Sequence, residues 1–251
     1  MELVYTILRG GRFLLQTALE PLDWASKVLN YKCKYPPMTL RQSVGELNYF
    51  EGSGGEHLAY LKLLCNLSNS DRVLDFGCGC GLRAINTTGS GSLLDCREYV
   101  GFDINPKAIN WCRKHIKKGK FVLGTSGGPL PFEDGSFDII LGKSVFTHIT
   151  HLSIKPYLSE LHRILSPTGR CLLTFFLLNR RPLNGQFTFK YKHEFGAYQR
   201  VTRPSRAVAY DEDWLVHQLG KLGFTYDIRY GNWTGNGYGL CYQDMVILRK
   251  K

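Results

Sequence analysis

The stretch Val73-Leu74-Asp75-Phe76-Gly77-Cys78-Gly79-Cys80-Gly81 limits the choice of fold more than any other part of the chain. Arg72 to Phe76 reads as a short buried strand, apolar and β-branched at its start. Glycines at every second position follow at once. A tight turn with that spacing lets backbone approach a ligand with no Cβ in the way. Leu82 to Asn86 can then start a helix, whose first N–H groups and positive dipole end would face the same ligand. A second strand, Val100-Gly101-Phe102-Asp103, ends in an acid about twenty residues further on. A carboxylate at the tip of a neighbouring parallel strand can accept both hydroxyls of a ribose, so the two halves together predict a nucleoside site. Either half alone fits an ordinary strand-to-helix turn with a capped helix.

The pattern Asp75-x-Gly77-x-Gly79-x-Gly81 followed by Gly101-Phe102-Asp103 resembles the cofactor signature of class I, Rossmann-like S-adenosylmethionine-dependent methyltransferases. Dinucleotide enzymes favour Gly-x-Gly-x-x-Gly, whereas position 82 here is Leu82. Leu130-Pro131-Phe132-Glu133-Asp134-Gly135-Ser136-Phe137-Asp138 and the piece from Glu160 to Arg170 resemble the same family, and the likeness runs from about residue 56 to 249. It implies an α/β fold: a doubly wound seven-stranded sheet with a C-terminal antiparallel hairpin, in three α/β/α layers. It implies S-adenosylmethionine as cofactor and S-adenosylhomocysteine as product. By the same resemblance, Asp75, Gly77, Cys78, Gly79 and Gly81 surround the amino-acid end of the cofactor. Asp103, with Ile104 beside it, takes the ribose. Thr125 and Ser126 stand where the family commonly has an acid for adenine; a hydroxyl or a main-chain carbonyl would accept that hydrogen bond instead. Phe132 to Ile140 reads as a turn leading into the central strand, and Lys143 and Ser144, past that strand, are expected to line the cofactor.

At 251 residues the chain can build one sizeable α/β domain. Its 32 basic residues against 21 acidic ones give +11, which suits an anionic partner or a basic, soluble surface. The eight cysteines include no Cys-x-x-Cys pair, so reduced thiols and no zinc site are expected. No run reaches transmembrane length. Arg9 and Arg12 interrupt the apolar start, which therefore lacks the form of a signal peptide and points to a cytoplasmic protein.

Residues 1–45 read as an N-terminal helical extension, a lid or an edge-packed piece, with residues 1–20 as a peripheral membrane contact in a third version. It would hold one helix over Leu3–Leu19, a second over Leu22–Leu29 after Pro21, and an extended link at Tyr35-Pro36-Pro37. Residues 46–251 read as the methyltransferase domain. Gly45 to Gly55 is expected as a loop, with Glu46, Tyr49 and Phe50 as candidate site walls. Further helices are expected over 56–67, 105–118, 157–165 and 211–222, a turn at Ser166–Gly169, a strand over 170–178, and closing strands over 224–230 and 242–248. The segment 179–210 reads as an acceptor-side insertion. It carries Arg180, Arg181, Lys190, Lys192, Arg200, Arg203 and Arg206 against Glu194, interleaved with aromatic residues.

Methyl transfer from a sulfonium needs an in-line geometry more than acid or base, but a hydroxyl acceptor must lose a proton. His148, a few residues past the central strand, is the candidate base, with His151 and His193 behind it. Gly142-Lys143-Ser144-Val145 replaces the Asn/Asp-Pro-Pro-Tyr/Phe motif of adenine amino-group methylation, and a Pro-Cys nucleophile is missing. The favoured reading is O-methylation of a small-molecule or glycan hydroxyl. Two others stay open: an RNA methyltransferase using the basic insertion, and a non-catalytic nucleoside-binding module.

Overall fold

The computed structural model describes residues 17–29, 35–44, 47–85, 91–179, 184–185, 187–235 and 239–251, with backbone alone for 43–44 and 47–54. Seven strands form the main sheet: β1 (Arg72–Phe76), β2 (Glu98–Asp103), β3 (Lys120–Leu123), β4 (Phe137–Gly142), β5 (Leu165–Phe175), β10 (Phe224–Arg229) and β11 (Asp244–Lys250). Their order is β10-β11-β5-β4-β1-β2-β3. From β3 to β5 all neighbours are parallel; β11 runs antiparallel to β5 and pairs with β10 as the closing hairpin. The sheet therefore grows one way from β1 through β2 to β3 and then the other way through β4 and β5. The reversal leaves a crevice at the carboxyl ends of β1 and β4, where open α/β sheets bind ligands.

Side-chain alternation along the strands separates two apolar layers. Leu74, Phe76, Ile140, Leu173, Val246 and Leu248 pack on one face. There they meet α5 (Ile154–Ile164) and α6 (Glu212–Lys221) through residues such as Leu158, Leu161, Leu215 and Leu219. Val73, Ile139, Leu141, Leu172 and Ile247 face the other way, against α3 (Leu47–Cys65) and α4 (Pro106–His115). α5 buries Ile154, Tyr157, Leu158, Leu161 and Ile164, the spacing of one helical stripe. Each such side chain taken from water contributes roughly 1.5–3 kcal/mol before entropy is counted. α4 starts as the sequence predicts: Asn105 caps it, accepting from Lys107 N (3.1 Å) and Ala108 N (3.3 Å), and Pro106 is its first residue.

Several expectations need correction. Residues 17–29 are one helix (α1) running through Pro21, not two helices meeting there; the rest of the helix expected over Leu3–Leu19 lies outside the described residues. A short helix, α2 (Met38–Val44), follows Pro36 and Pro37. The loop expected over 45–55 is instead the first half of α3, which starts at Leu47 despite Gly52, Gly54 and Gly55. Glu46 lies outside the described residues, and Tyr49 and Phe50 sit on that helix. The turn at Ser166–Gly169 is absorbed into β5 as a bulge: Phe137 pairs with Leu165, and two residues later Ile139 pairs with Arg170. The segment after β5 folds as a second sheet, in the order β6-β9-β8-β7. Its strands are β6 (Leu177–Leu178), β7 (Tyr191–His193), β8 (Gly196–Tyr198) and β9 (Val208–Asp211).

Candidate functional site

Three φ values decide the shape of the turn after β1. Gly77 (+78°), Gly79 (+55°) and Gly81 (+75°) all lie in the left-handed region, which side chains disfavour. Packing adds a second reason at two of them. A Cβ on Gly77 would lie 2.2 Å from Val145 Cγ2, and one on Gly81 2.5 Å from Ile116 Cδ1. These glycines let the turn nest between the end of β4 and the segment after α4. Bare backbone at this point thus serves neighbouring side chains of the chain itself, a reason that the spacing alone does not give.

The turn and the second acid are directly bonded. Gly77 N (2.7 Å) and Cys78 N (3.0 Å) donate to Phe102 O at the end of β2. Gly79 N donates to Asp103 Oδ2 at 2.7 Å, and Asn105 N donates to Asp103 Oδ1 at 2.8 Å. Each carboxylate oxygen of half-buried Asp103 thus has one main-chain donor, which fixes the group while leaving further acceptor lone pairs. Ile104 beside it is a large apolar side chain left 51% exposed. Thr125 and Ser126, after β3, are exposed, and the next residue is tied down by Gly127 N donating to Tyr157 OH (2.7 Å).

Other expected binding residues are turned inward. Asp75 is fully buried, its oxygens held by Arg83 Nη1 (3.0 Å) and Tyr99 OH (3.0 Å). Burial pushes its carboxyl above the ordinary range, and the Arg83 charge works against that shift. Cys78 is buried, with its thiol on Gly79 O, and burial also raises it well above its ordinary value. Lys143 is buried, Nζ lying 3.2 Å from both Cys241 Sγ and Gln243 Oε1, and burial lowers its pKa. Ser144, at φ +57°, donates from Oγ to Gln243 Oε1 (2.9 Å), while its N–H donates to Thr174 Oγ1 (2.8 Å). The side chains of Lys143 and Ser144 thus belong to a polar knot under the end of β4.

His148 is exposed, with Nδ1 2.9 Å from Ser205 O. A proton on Nδ1 makes that bond, so Nε2 carries the free lone pair. Three more bonds join this loop to the small sheet: Val208 N to Thr147 O (2.8 Å), Tyr210 OH to Ile149 O (2.7 Å), and Tyr198 OH with His151 Nδ1. His193 stacks on His151 at 5.1 Å; burial, then the neighbouring His151, pulls its pKa down to about 4.

Sequence reasoning does not single out Arg83, Tyr99, Gln243 or Asp244, and it reads Tyr198 only as one of the aromatic residues of the insertion. A signal exists for Arg83, since an acid inside a buried strand calls for a cation and Arg83 lies two residues past the last glycine of the turn. Asp244, fully buried, accepts from Leu177 N (2.8 Å), Gly231 N (2.8 Å) and Trp233 Nε1 (2.7 Å). Nothing in the sequence around it announces those donors. Among the described residues no cluster of His, Cys, Asp and Glu could hold a metal ion.

Comparison with known proteins gives the same frame. Residues 74–173 match the family model described as a methyltransferase domain. Over 105 residues the chain is 38% identical to phthiotriol/phenolphthiotriol dimycocerosates methyltransferase 1 of Mycobacterium ulcerans, covering 41% of this chain and 36% of the relative. Over 133 residues it is 28% identical to the 18S rRNA (guanine-N(7))-methyltransferase of Bos taurus, covering 49% of this chain and 46% of the relative. This chain thus spans less than half the length of these two curated relatives. In fold it is similar to the PH0226 protein of Pyrococcus horikoshii OT3, with a TM-score of 0.59 at 21% identity, covering 83% of this chain and 93% of that one.

Proposed function

We propose, from the match of residues 74–173 to a methyltransferase-domain family, that this chain is a class I, S-adenosylmethionine-dependent methyltransferase acting on a hydroxyl of a small molecule or glycan. The observation that carries the cofactor part of the proposal is the bond from Gly79 N to Asp103 Oδ2, which joins the glycine turn to the acid at the tip of β2. A carboxylate oriented by two main-chain amides, with lone pairs to spare, fits a pair of ribose hydroxyls. Ile104 offers an apolar surface beside it, and the Thr125–Ser126 stretch offers hydroxyls and main chain for adenine.

When bound, S-adenosylmethionine would supply an electrophilic methyl group on a sulfonium that becomes a neutral thioether on transfer. The protein's tasks are then to position the acceptor, exclude water and accept one proton. His148 Nε2 suits the last task, its ring being oriented by Ser205 O as a second group orients a catalytic histidine. The small sheet, bonded along Thr147, Ile149 and His151, forms a wall on the acceptor side.

The test uses methyl-labelled cofactor with a panel of sugars, phenols and RNA. Label on a hydroxyl compound is expected. His148→Ala should lower kcat by roughly 10²–10⁴-fold with the heat of cofactor binding unchanged. Exposed Lys190, Lys192 and Arg206 on the insertion favour a second reading, an RNA acceptor. Label on RNA, with affinity falling steeply as salt rises, would establish that one instead. Cofactor binding with no transfer to any acceptor would leave a non-catalytic nucleoside-binding module.

A further inference from the structure

Helix α1 is built inside out. Its charged residues face the protein: Glu20 accepts from Met38 N (3.1 Å), Thr39 N (2.8 Å) and Thr39 Oγ1 (2.7 Å), so it caps α2. Asp23 pairs with Lys27 at 2.9 Å and with Arg41. Lys27 Nζ and Arg41 Nε both donate to Pro36 O, at 3.3 and 3.0 Å. Glu20, Asp23 and Lys27 share one narrow arc, since successive residues turn by about 100°. The opposite arc holds Ala18, Pro21, Leu22, Ala25, Val28 and Leu29, with no charge among them. Leu22 is 67% exposed, Leu29 78%, and Trp24 on the flank 65%.

Single exposed apolar residues are ordinary, but a helix that turns its ion pairs inward and its leucines and tryptophan outward presents an apolar face that no described residue covers. The charge around it indicates which. Glu20 and Asp23 are matched by the α2 N-terminus, Lys27 and Arg41, whereas Arg9, Arg12, Lys32 and Lys34 flank the helix in sequence in a chain of net charge +11. Apolar insertion combined with cations close by in the sequence is the pairing that holds a protein on an anionic lipid surface. No helix among the described residues is long and apolar enough to cross a membrane.

We propose that the outward face of α1, with Leu22 and Leu29 near its centre and Val28 and Trp24 towards one edge, docks this protein on a bilayer surface bearing anionic headgroups, whatever the acceptor of the domain proves to be. The test is co-sedimentation of the full chain with phosphatidylcholine vesicles, with and without phosphatidylglycerol. Binding should be at least about tenfold stronger with the anionic lipid and should weaken with salt. The Leu22→Asp/Leu29→Asp variant alters only exposed side chains. It should keep its circular dichroism and its heat of S-adenosylhomocysteine binding and lose at least about tenfold in vesicle binding. The fluorescence of Trp24, read as the difference between wild type and Trp24→Phe, should shift to shorter wavelength on anionic vesicles; this readout does not require the double variant to fold. A wild-type protein that stays in the supernatant, a double variant that binds as well as wild type, or an unshifted Trp24 overturns the proposal. So does a lipid-free dimer that the double variant dissociates, because the face would then belong to a second copy of the chain.

Discussion

At Asp103 one side chain joins two stretches that the sequence keeps 24 residues apart. Asp103→Ala removes the acceptor of Gly79 N and Asn105 N together with the proposed ribose contact. Hydrogen bonds to a charged group are worth about 1.5–3 kcal/mol each. Calorimetry with S-adenosylhomocysteine should therefore show affinity falling by roughly 10–100-fold or more, with Asp103→Asn falling less. The histidines offer a second measurement. A base whose folded pKa is depressed is neutral in the native state, and it lowers stability as pH falls from its unfolded value near 6.5. His193 should thus titrate at about 4 by NMR, through burial and the neighbouring His151. His193→Gln should flatten the loss of stability between about pH 6 and 4. A His193 midpoint near 6.5 would mean that the ring is open to water.

Among the elements, β1 and β4 are joined at their amino ends by Arg72, whose N–H, Nε and Nη2 all donate to Asp138, at 3.0, 3.0 and 2.9 Å. These bonds hold the Asp138 carboxyl down at about 2. An acid with a depressed folded pKa stabilises the fold above its unfolded value, near 3.9, and the contribution is lost as pH falls towards 2. Asp138→Asn should cost about 1 kcal/mol at neutral pH, after allowance for the partial exposure of the pair, and nothing near pH 2, as read by denaturant titration. In α3 the glycines at 52, 54 and 55 each disfavour helix by about 0.8–1 kcal/mol relative to alanine. Hydrogen exchange should accordingly be faster over 47–55 than over 56–65, where Leu58, Leu61 and Cys65 are buried.

For the molecule as a whole, Asp244 is the point where three regions meet: β6, the segment at Gly231 and Trp233, and the closing strand β11. Trp233 also packs on Phe176 (5.1 Å) and Phe189 (5.7 Å), so this knot seats the small sheet on the large one. Asp244→Ala leaves buried donors unmatched at about 1–3 kcal/mol each. A loss of at least about 3 kcal/mol is expected, together with loosening of the segment 177–211 that limited proteolysis would detect.

Local chemistry made much of this legible in the sequence. Gly77, Gly79 and Gly81 take the positive φ that only glycine adopts cheaply, Asn105-Pro106 starts a helix without outside help, and alternation along β1, β4 and β11 fixes which side chains enter which layer. Long-range partners decided the rest. α3 runs on through its glycines into the half where Leu58, Leu61 and Cys65 are buried, the pairing of β4 with β5 absorbs the Ser-Pro-Thr-Gly turn as a bulge, and Arg83 and Tyr99 close around Asp75. Lys143 and Ser144 are drawn to Gln243, a hundred positions away for Lys143. The direction in which α1 faces is likewise unreadable from its residues alone, because its charges are satisfied by α2 and only the folded chain brings the two together.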